Sequence, residues 1–278
     1  MPKGIALYVR KISKKSHGTP HEFAKKYAAA GLRWVALAGP WQDPDSSGVV
    51  RTRMINTPEV INAYGKALEK AGVEVWVWGY PWIGHEHAFV SRITSTDFRR
   101  ILLDPELGAN PTRASSGAGK KEAEKAARTL VRLLKLSGNV FECGLSTYGS
   151  GWKLKWFPLV AYTRALAEFF PGASFIGGQT YTDDNAIDPS ISDMRKAVKA
   201  AKADGAVEIV PNFGMYQRVN GKVRAKTPEE LLAHLTDFVD DPLPIEALIG
   251  WAENFATPQL WETLKKFSRW ANKGVLQL

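Results

Sequence analysis

A single cysteine, Cys143, stands in 278 residues, so an intrachain disulfide framework and a cysteine-based zinc knuckle are both ruled out. It lies inside an apolar, strand-like run, the setting of a buried thiol that packs as a small hydrophobe and does no chemistry. No apolar run approaches the roughly 20 residues that a membrane-spanning helix needs. The first nine residues, Met1 to Val9, run straight into a strand-like segment, and no basic region followed by a long apolar stretch and a small-residue cleavage site precedes them. The expectation is cytoplasmic synthesis without a Sec-type signal. Acidic residues are also in deficit, 28 against 37 Lys and Arg, for a formal charge of +9. That excess draws the chain toward something anionic, such as a cell-wall polymer, an acidic membrane face or nucleic acid. The lysines cluster at 11–15, 120–125, 153–155 and 265–266 among helices and loops. No nucleic-acid motif accompanies them, so they read as solvated faces and no specific nucleic-acid partner is expected.

What is present is a repeated unit. Eight strand-like runs, at 4–9, 34–38, 73–78, 101–103, 140–145, 174–178, 207–210 and 247–251, alternate with helical periodicity at 23–30, 59–71, 120–136, 156–170, 191–203, 229–238 and 259–272. This is the pattern of an α/β fold built as a single (β/α)8 TIM barrel occupying residues 1–278. Four Thr-Pro pairs mark helix starts, at Thr19, Thr57, Thr227 and Thr257. Threonine accepts a hydrogen bond from an otherwise unpaired amide, and proline fills the first helical position at no cost. Glu22 and Glu230 complete capping boxes at two of them. Gly31 and Gly72 supply helix stops before the next strand. The stretch 83–100 is short and irregular, and a full helix there is doubtful. No linker divides the chain, and the Gly- and Ser-rich stretch 108–121 reads as a long loop after the fourth strand.

Two tempting motifs fail. The glycine-rich loop resembles a phosphate-binding loop, but Ala114 occupies the place of its first glycine and Lys121 the place of its magnesium-binding hydroxyl. His85-Glu86-His87 has ligand spacing, yet the other histidines, His17, His21 and His234, follow no later strand where a barrel metal enzyme would want them. Neither a metal nor a cofactor is expected.

In a barrel the chemistry sits at the C-terminal ends of the strands. The fourth strand ends in Asp104-Pro105-Glu106, two carboxylates delivered to that end, although the same tripeptide also suits a plain strand-to-loop turn. Around them the other strands end in Tyr8, in Trp41 and Asp43, in Trp78, Tyr80 and Trp82, in Ser146 and Tyr148, in Gln179, Tyr181 and Asp183, in Asn212, and in Trp251 and Glu253. Flat aromatic faces beside amides and carboxylates suit a sugar, whose C–H faces stack on rings while its hydroxyls need polar partners. Trp41, Trp78, Tyr80, Trp82, Tyr148, Gln179, Asn212 and Trp251 are therefore the candidate substrate-binding residues. A competing reading is that the tryptophans simply fill a large core.

On Asp104-Pro105-Glu106, Gln179-Thr180-Tyr181 and Gly250-Trp251, the chain resembles the chitinase-type family 18 glycoside hydrolases. The resemblance implies Glu106 as general acid, Asp104 orienting the substrate's N-acetyl group as internal nucleophile, Tyr181 as helper and Trp251 as floor. It departs from the family where two further upstream acids would stand, at Leu102 and Arg99. That departure leaves room for a separate carboxylate, with Glu253 the natural partner and Asp43 or Asp183 in reserve. The expected substrate is an N-acetylated cell-wall polysaccharide such as peptidoglycan, reached after lysis or as part of a phage particle, with anionic wall polymers as further partners. The opposing expectation is a noncatalytic barrel that binds glycan or serves as a virion structural protein.

Overall fold

The computed structural model describes residues 2–40, 55–105, 118–148, 157–180, 187–219, 222–239, 246–251 and 256–271. Parallel strands β1 (Gly4–Val9), β2 (Trp34–Ala38), β3 (Glu74–Gly79), β4 (Arg100–Leu103), β5 (Glu142–Tyr148) and β6 (Ser174–Thr180) follow one another, each separated from the next by helix. The seventh stave is broken into β7 (Glu208–Ile209) and β8 (Asn212–Gly214), and β11 (Ala247–Trp251) is the eighth. The hydrogen-bonded order β5-β4-β3-β2-β1-β11-β8-β6 closes through β5–β6 pairing. A single (β/α)8 barrel is thus formed.

The break in the seventh stave has a simple cause. Pro211 has no N–H to give to the ladder, yet register is kept across it, since Ile176 pairs with Ile209 and Gln179 with Asn212 at the same offset. A short antiparallel hairpin then follows, β9 (Tyr216–Val219) with β10 (Lys222–Ala225). Neither the division of this stave nor the hairpin is apparent from the apolar run at 207–210.

Around the barrel lie α1 (Lys14–His17), α2 (Pro20–Ala29), α3 (Pro58–Lys70), α4 (Glu86–Ile93), α5 (Ala118–Leu136), α6 (Leu159–Phe169), α7 (Ile187–Ala201), α8 (Pro228–Val239) and α9 (Pro258–Ala271). All four threonine caps form: Thr19, Thr57, Thr227 and Thr257 accept from the amides of Glu22, Val60, Glu230 and Leu260. Glu22 and Glu230 reach back to the Thr19 and Thr227 amides at 2.7 Å, closing both capping boxes. A helix does exist within 83–100. Its start was hard to read because the N-cap position is His85, whose side chain makes no capping bond.

Alternation along the strands sorts side chains into two cores. Ile5, Leu7, Val9, Val35, Leu37, Val75, Val77, Ile101 and Leu103 face the helices, where they meet Phe23, Tyr27, Ile61 and Leu68. Ala6, Tyr8, Trp34, Ala36, Ala38, Trp76, Trp78, Leu102, Phe175, Val210, Ala247 and Ile249 fill the barrel itself. Large rings and small side chains interleave there: Trp76 and Phe175 meet edge to face at 5.2 Å, and a Cβ on Gly144 would overlap the Phe175 ring.

Candidate functional site

The two ends of the barrel are chemically different. At the N-terminal end of the strands, Arg100 contacts Glu142 at 2.6 Å and Glu74 at 3.5 Å, and the Trp76 indole donates to Glu74 at 2.7 Å. Glu142 therefore belongs to a charge cluster remote from Asp104. Glu208, an exposed residue, begins the seventh stave at this same end, and partial desolvation raises its carboxyl above the ordinary range; Glu246 and Glu142 add to the shift and Lys3 opposes it.

At the other end, which we term the mouth, Asp104 follows β4 directly, 3 % exposed, with its backbone amide donating to the Gly79 carbonyl. Its Oδ1 accepts from Gln179 Nε2 at 3.3 Å. The same nitrogen lies 3.2 Å from Ser146 Oγ, and Asn212 Nδ2 donates to Ser146 Oγ at 2.6 Å. Strand pairing builds this chain: β5 and β6 place Ser146 opposite Gly177 and Tyr148 opposite Gln179, and β6 places Gln179 opposite Asn212. The missing side chain at Gly177 is what lets Asn212 reach Ser146. A Cβ there would lie 3.0 Å from Asn212 Oδ1 and would collide with the Val210 carbonyl.

An aromatic wall stands beside the polar chain. Trp78 meets Tyr8 at 5.5 Å, Tyr80 at 5.4 Å and Trp251 at 5.3 Å, each edge to face, and Tyr8 meets Trp251 at 5.1 Å. Trp78 is buried and its indole donates to the Val9 carbonyl at 3.3 Å, so it is the base of the wall. Tyr80 and Trp251 are only partly buried and supply the accessible rings. Edge-to-face pairs of this kind contribute about 0.5–1.5 kcal/mol each beyond the area they bury.

The sequence candidates are thus placed as follows. Asp104, Gln179, Asn212, Trp78, Tyr80 and Trp251 converge at the mouth. Trp82 is partly buried and packs against the outer core, and its Nε1 has no hydrogen-bond partner among the described residues. Tyr148 ends β5 opposite Gln179 in register. Trp41, Glu106, Tyr181 and Glu253 lie outside the described residues, as do Asp43 and Asp183. Ser146 and Tyr8, named at their strand ends, were not among the substrate-binding candidates. Their alternation with the helix-facing Cys143 and Leu145 on β5 and Leu7 and Val9 on β1 is the signal that finds them.

His85 and His87 are exposed, and the Glu86 carboxylate accepts from the Gly84 amide at 2.9 Å. Among the described residues no group of three or more histidines, cysteines or carboxylates is arranged to hold a metal ion, and no helix is long and apolar enough to cross a membrane. Cys143 is buried, and burial drives its thiol far above the usual range, so a thiolate nucleophile is not available at that position.

No family model matches the chain, and no curated protein matches it in sequence. Among solved structures it is similar to the spore cortex-lytic enzyme SleL of Bacillus megaterium QM B1551, with a TM-score of 0.55 and 14% identity over 95% of this chain and 73% of that one. It is similar also to a glycoside hydrolase family 18 N-acetylglucosaminidase of Paenibacillus barengoltzii, with a TM-score of 0.57 and 11% identity over 95% and 99%. A xylanase and α-amylase inhibitor protein of Scadoxus multiflorus shares the fold too, with a TM-score of 0.53 and 12% identity over 98% and 99%. The chain therefore has the barrel fold found in family 18 glycoside hydrolases.

Proposed function

We propose that the protein is a glycoside hydrolase acting on an N-acetylated cell-wall polysaccharide such as peptidoglycan. The observation that carries this reading is the juxtaposition, at one barrel mouth, of Asp104 held by Gln179 with the aromatic wall of Tyr80 and Trp251 over Trp78. Likeness in fold to SleL and to the N-acetylglucosaminidase supports it.

In this reading Glu106 gives its proton to the glycosidic oxygen as the C1–O bond breaks. The acetamido oxygen of the same sugar closes on C1, while Asp104 accepts from the acetamido N–H and holds the group in line. Water then adds to C1, the acetamido group is released, and a proton returns to Glu106. Tyr181 steadies the acetamido group. Should that group take no part, Glu253 supplies the second carboxylate, at about 5 Å from Glu106 for retention or roughly 6.5–9.5 Å for inversion. The positive charge would draw the protein to anionic wall polymers once lysis, or carriage on a phage particle, brings it to the wall.

One observation favours a second reading, glycan binding without turnover. Below Asp104 on the inward face of β4 stands Leu102, buried and apolar, and below that Arg100, which is tied to the opposite end. No acid on β4 backs Asp104. Purified peptidoglycan and N-acetylglucosamine oligomers, incubated with the protein and analysed by reducing-sugar release and mass spectrometry, decide between the two. Hydrolysis products are expected from at least one of them. Tight binding with no product from either would establish the noncatalytic reading.

A further inference from the structure

Asp104, Ser146 and Asn212 are buried, whereas Gln179 is partly open to the mouth. An amide nitrogen carries two hydrogens, and Gln179 Nε2 has two acceptors in reach, Asp104 Oδ1 at 3.3 Å and Ser146 Oγ at 3.2 Å. Both hydrogens are therefore committed. Turning the amide over would set its oxygen against a carboxylate oxygen, which is repulsive, so the orientation is dictated by Asp104. Ser146 in turn is held by Asn212 at 2.6 Å, in the space that Gly177 leaves open. What Gln179 has left for a ligand is Oε1, which takes no hydrogen bond among the described residues.

We infer that Gln179 is a specificity-determining residue that meets the ligand as an acceptor only, and that Ser146 and Asn212 are positioning residues that lock it so. The inference rests on the glycan reading of the mouth. It narrows the substrate class to sugars that bring an N–H or O–H to this place. A sugar presenting an ether or carboxylate oxygen there would face two acceptors, Gln179 Oε1 and the Asp104 carboxylate beside it, with no hydrogen between them. Losing a hydrogen bond in a buried site leaves a polar atom unsatisfied, which is more costly than never having built the site.

The test uses isotopically labelled full-length protein and tri-N-acetylchitotriose, with the Gln179 side-chain signals assigned by their loss in Gln179→Met. The two side-chain amide hydrogens of Gln179 are expected to exchange slowly with solvent, and at least about tenfold faster in Ser146→Ala, which breaks one of their bonds but leaves the strand intact. On saturation with the trimer, the Gln179 Cδ resonance should move downfield, as a carbonyl does on accepting a hydrogen bond, while both amide hydrogens stay protected. Affinity should fall about tenfold in Gln179→Met. Trp251→Ala should weaken binding without altering the exchange. Fast exchange in the wild type, or exchange unaffected by Ser146→Ala, overturns the lock whatever the trimer does. Saturation without a Cδ shift overturns the acceptor role while the glycan reading stands. Protected hydrogens in a protein that binds no trimer overturn the glycan reading and the ligand assignment together.

Discussion

The Arg100 guanidinium lies 2.6 Å from the Glu142 carboxylate at the start of β4, on the strand that ends at Asp104. One short strand thus carries a cation at one end of the barrel and a carboxylate at the other, with the apolar Ile101-Leu102-Leu103 between them. Arg100→Met should leave Glu142 and Glu74 facing each other without a counter-charge. A loss of about 1–3 kcal/mol is expected, as for a partly buried charge that loses its partner, seen as a melting temperature lower by several degrees. Oligosaccharide affinity at the mouth should be unchanged.

Glu208 gives a pH signature at the same end. Its folded carboxyl is raised, first by partial desolvation and then by Glu246 and Glu142, so protonation is somewhat easier in the folded than in the unfolded chain. This group therefore costs nothing at pH values below its unfolded pKa. Its cost appears as pH rises through the window between the unfolded and folded values, and persists above it. Glu208→Gln should raise the melting temperature at pH 7 and lose that advantage near pH 4. Equal gains at both pH values would remove Glu208 as the source.

Glu106→Gln keeps the shape of the side chain and removes its acid. Turnover of peptidoglycan or chitin oligomers should fall by roughly two to four decades, the usual contribution of a positioned general acid, with the melting temperature within a degree or two of wild type. Normal turnover in the folded variant ends the assignment.

Asp104→Asn separates orientation of a sugar from support of the fold. Asparagine retains an oxygen that can accept from Gln179, so the buried chain to Ser146 survives. The loss should appear mainly in kcat for N-acetylated substrates, because the interaction tightens in the transition state. A collapse in melting temperature with proportionate loss of binding would instead mark a structural aspartate.

Trp251 and Trp82 should behave differently. Trp251 is part of the accessible wall, and Trp251→Ala should weaken binding of a neutral N-acetylglucosamine oligomer while leaving salt-sensitive retention on cell walls in place. Trp82 packs against the outer core, so Trp82→Ala should lower stability as well. Isothermal titration and retention measured against salt check both. Unchanged oligomer affinity in both variants, with all retention lost at modest salt, would leave only electrostatic attraction.

The barrel was legible because its signals are local and repeated: eight apolar runs, and threonine caps at Thr19, Thr57, Thr227 and Thr257 that all form as read. Features without a local signature escaped. Helix α4 begins at an uncapped histidine, and the seventh stave continues through Pro211, a residue that usually ends a strand. The β9–β10 hairpin is different: it does have a local cue, Asn220-Gly221 between two short runs of alternating character, which the apolar run at 207–210 does not include. At the mouth, carboxylates and tryptophans stand out in a sequence, whereas Ser146 does not. Its importance arises from strand register and from the empty space at Gly177, both of which join segments far apart in the chain.

The interleaving of Trp34, Trp76 and Trp78 with Ala6, Ala36, Ala38 and Ala247 inside the barrel makes its interior a closed volume shared among positions on different strands. Such a space admits exchange only in matched pairs: an indole trimmed on one strand leaves a void that an alanine enlarged on a neighbour can refill, and either change alone is harmful. Random substitution would then alter this interior in coupled steps, and a selected library spanning these seven positions should return compensated doubles far more often than the product of its singles. The mouth stands on that packing, so an engineer who wishes to reshape the aromatic wall at Trp251 must begin below it, with the Trp78 ring on which it rests and the small residues of the interior around that ring.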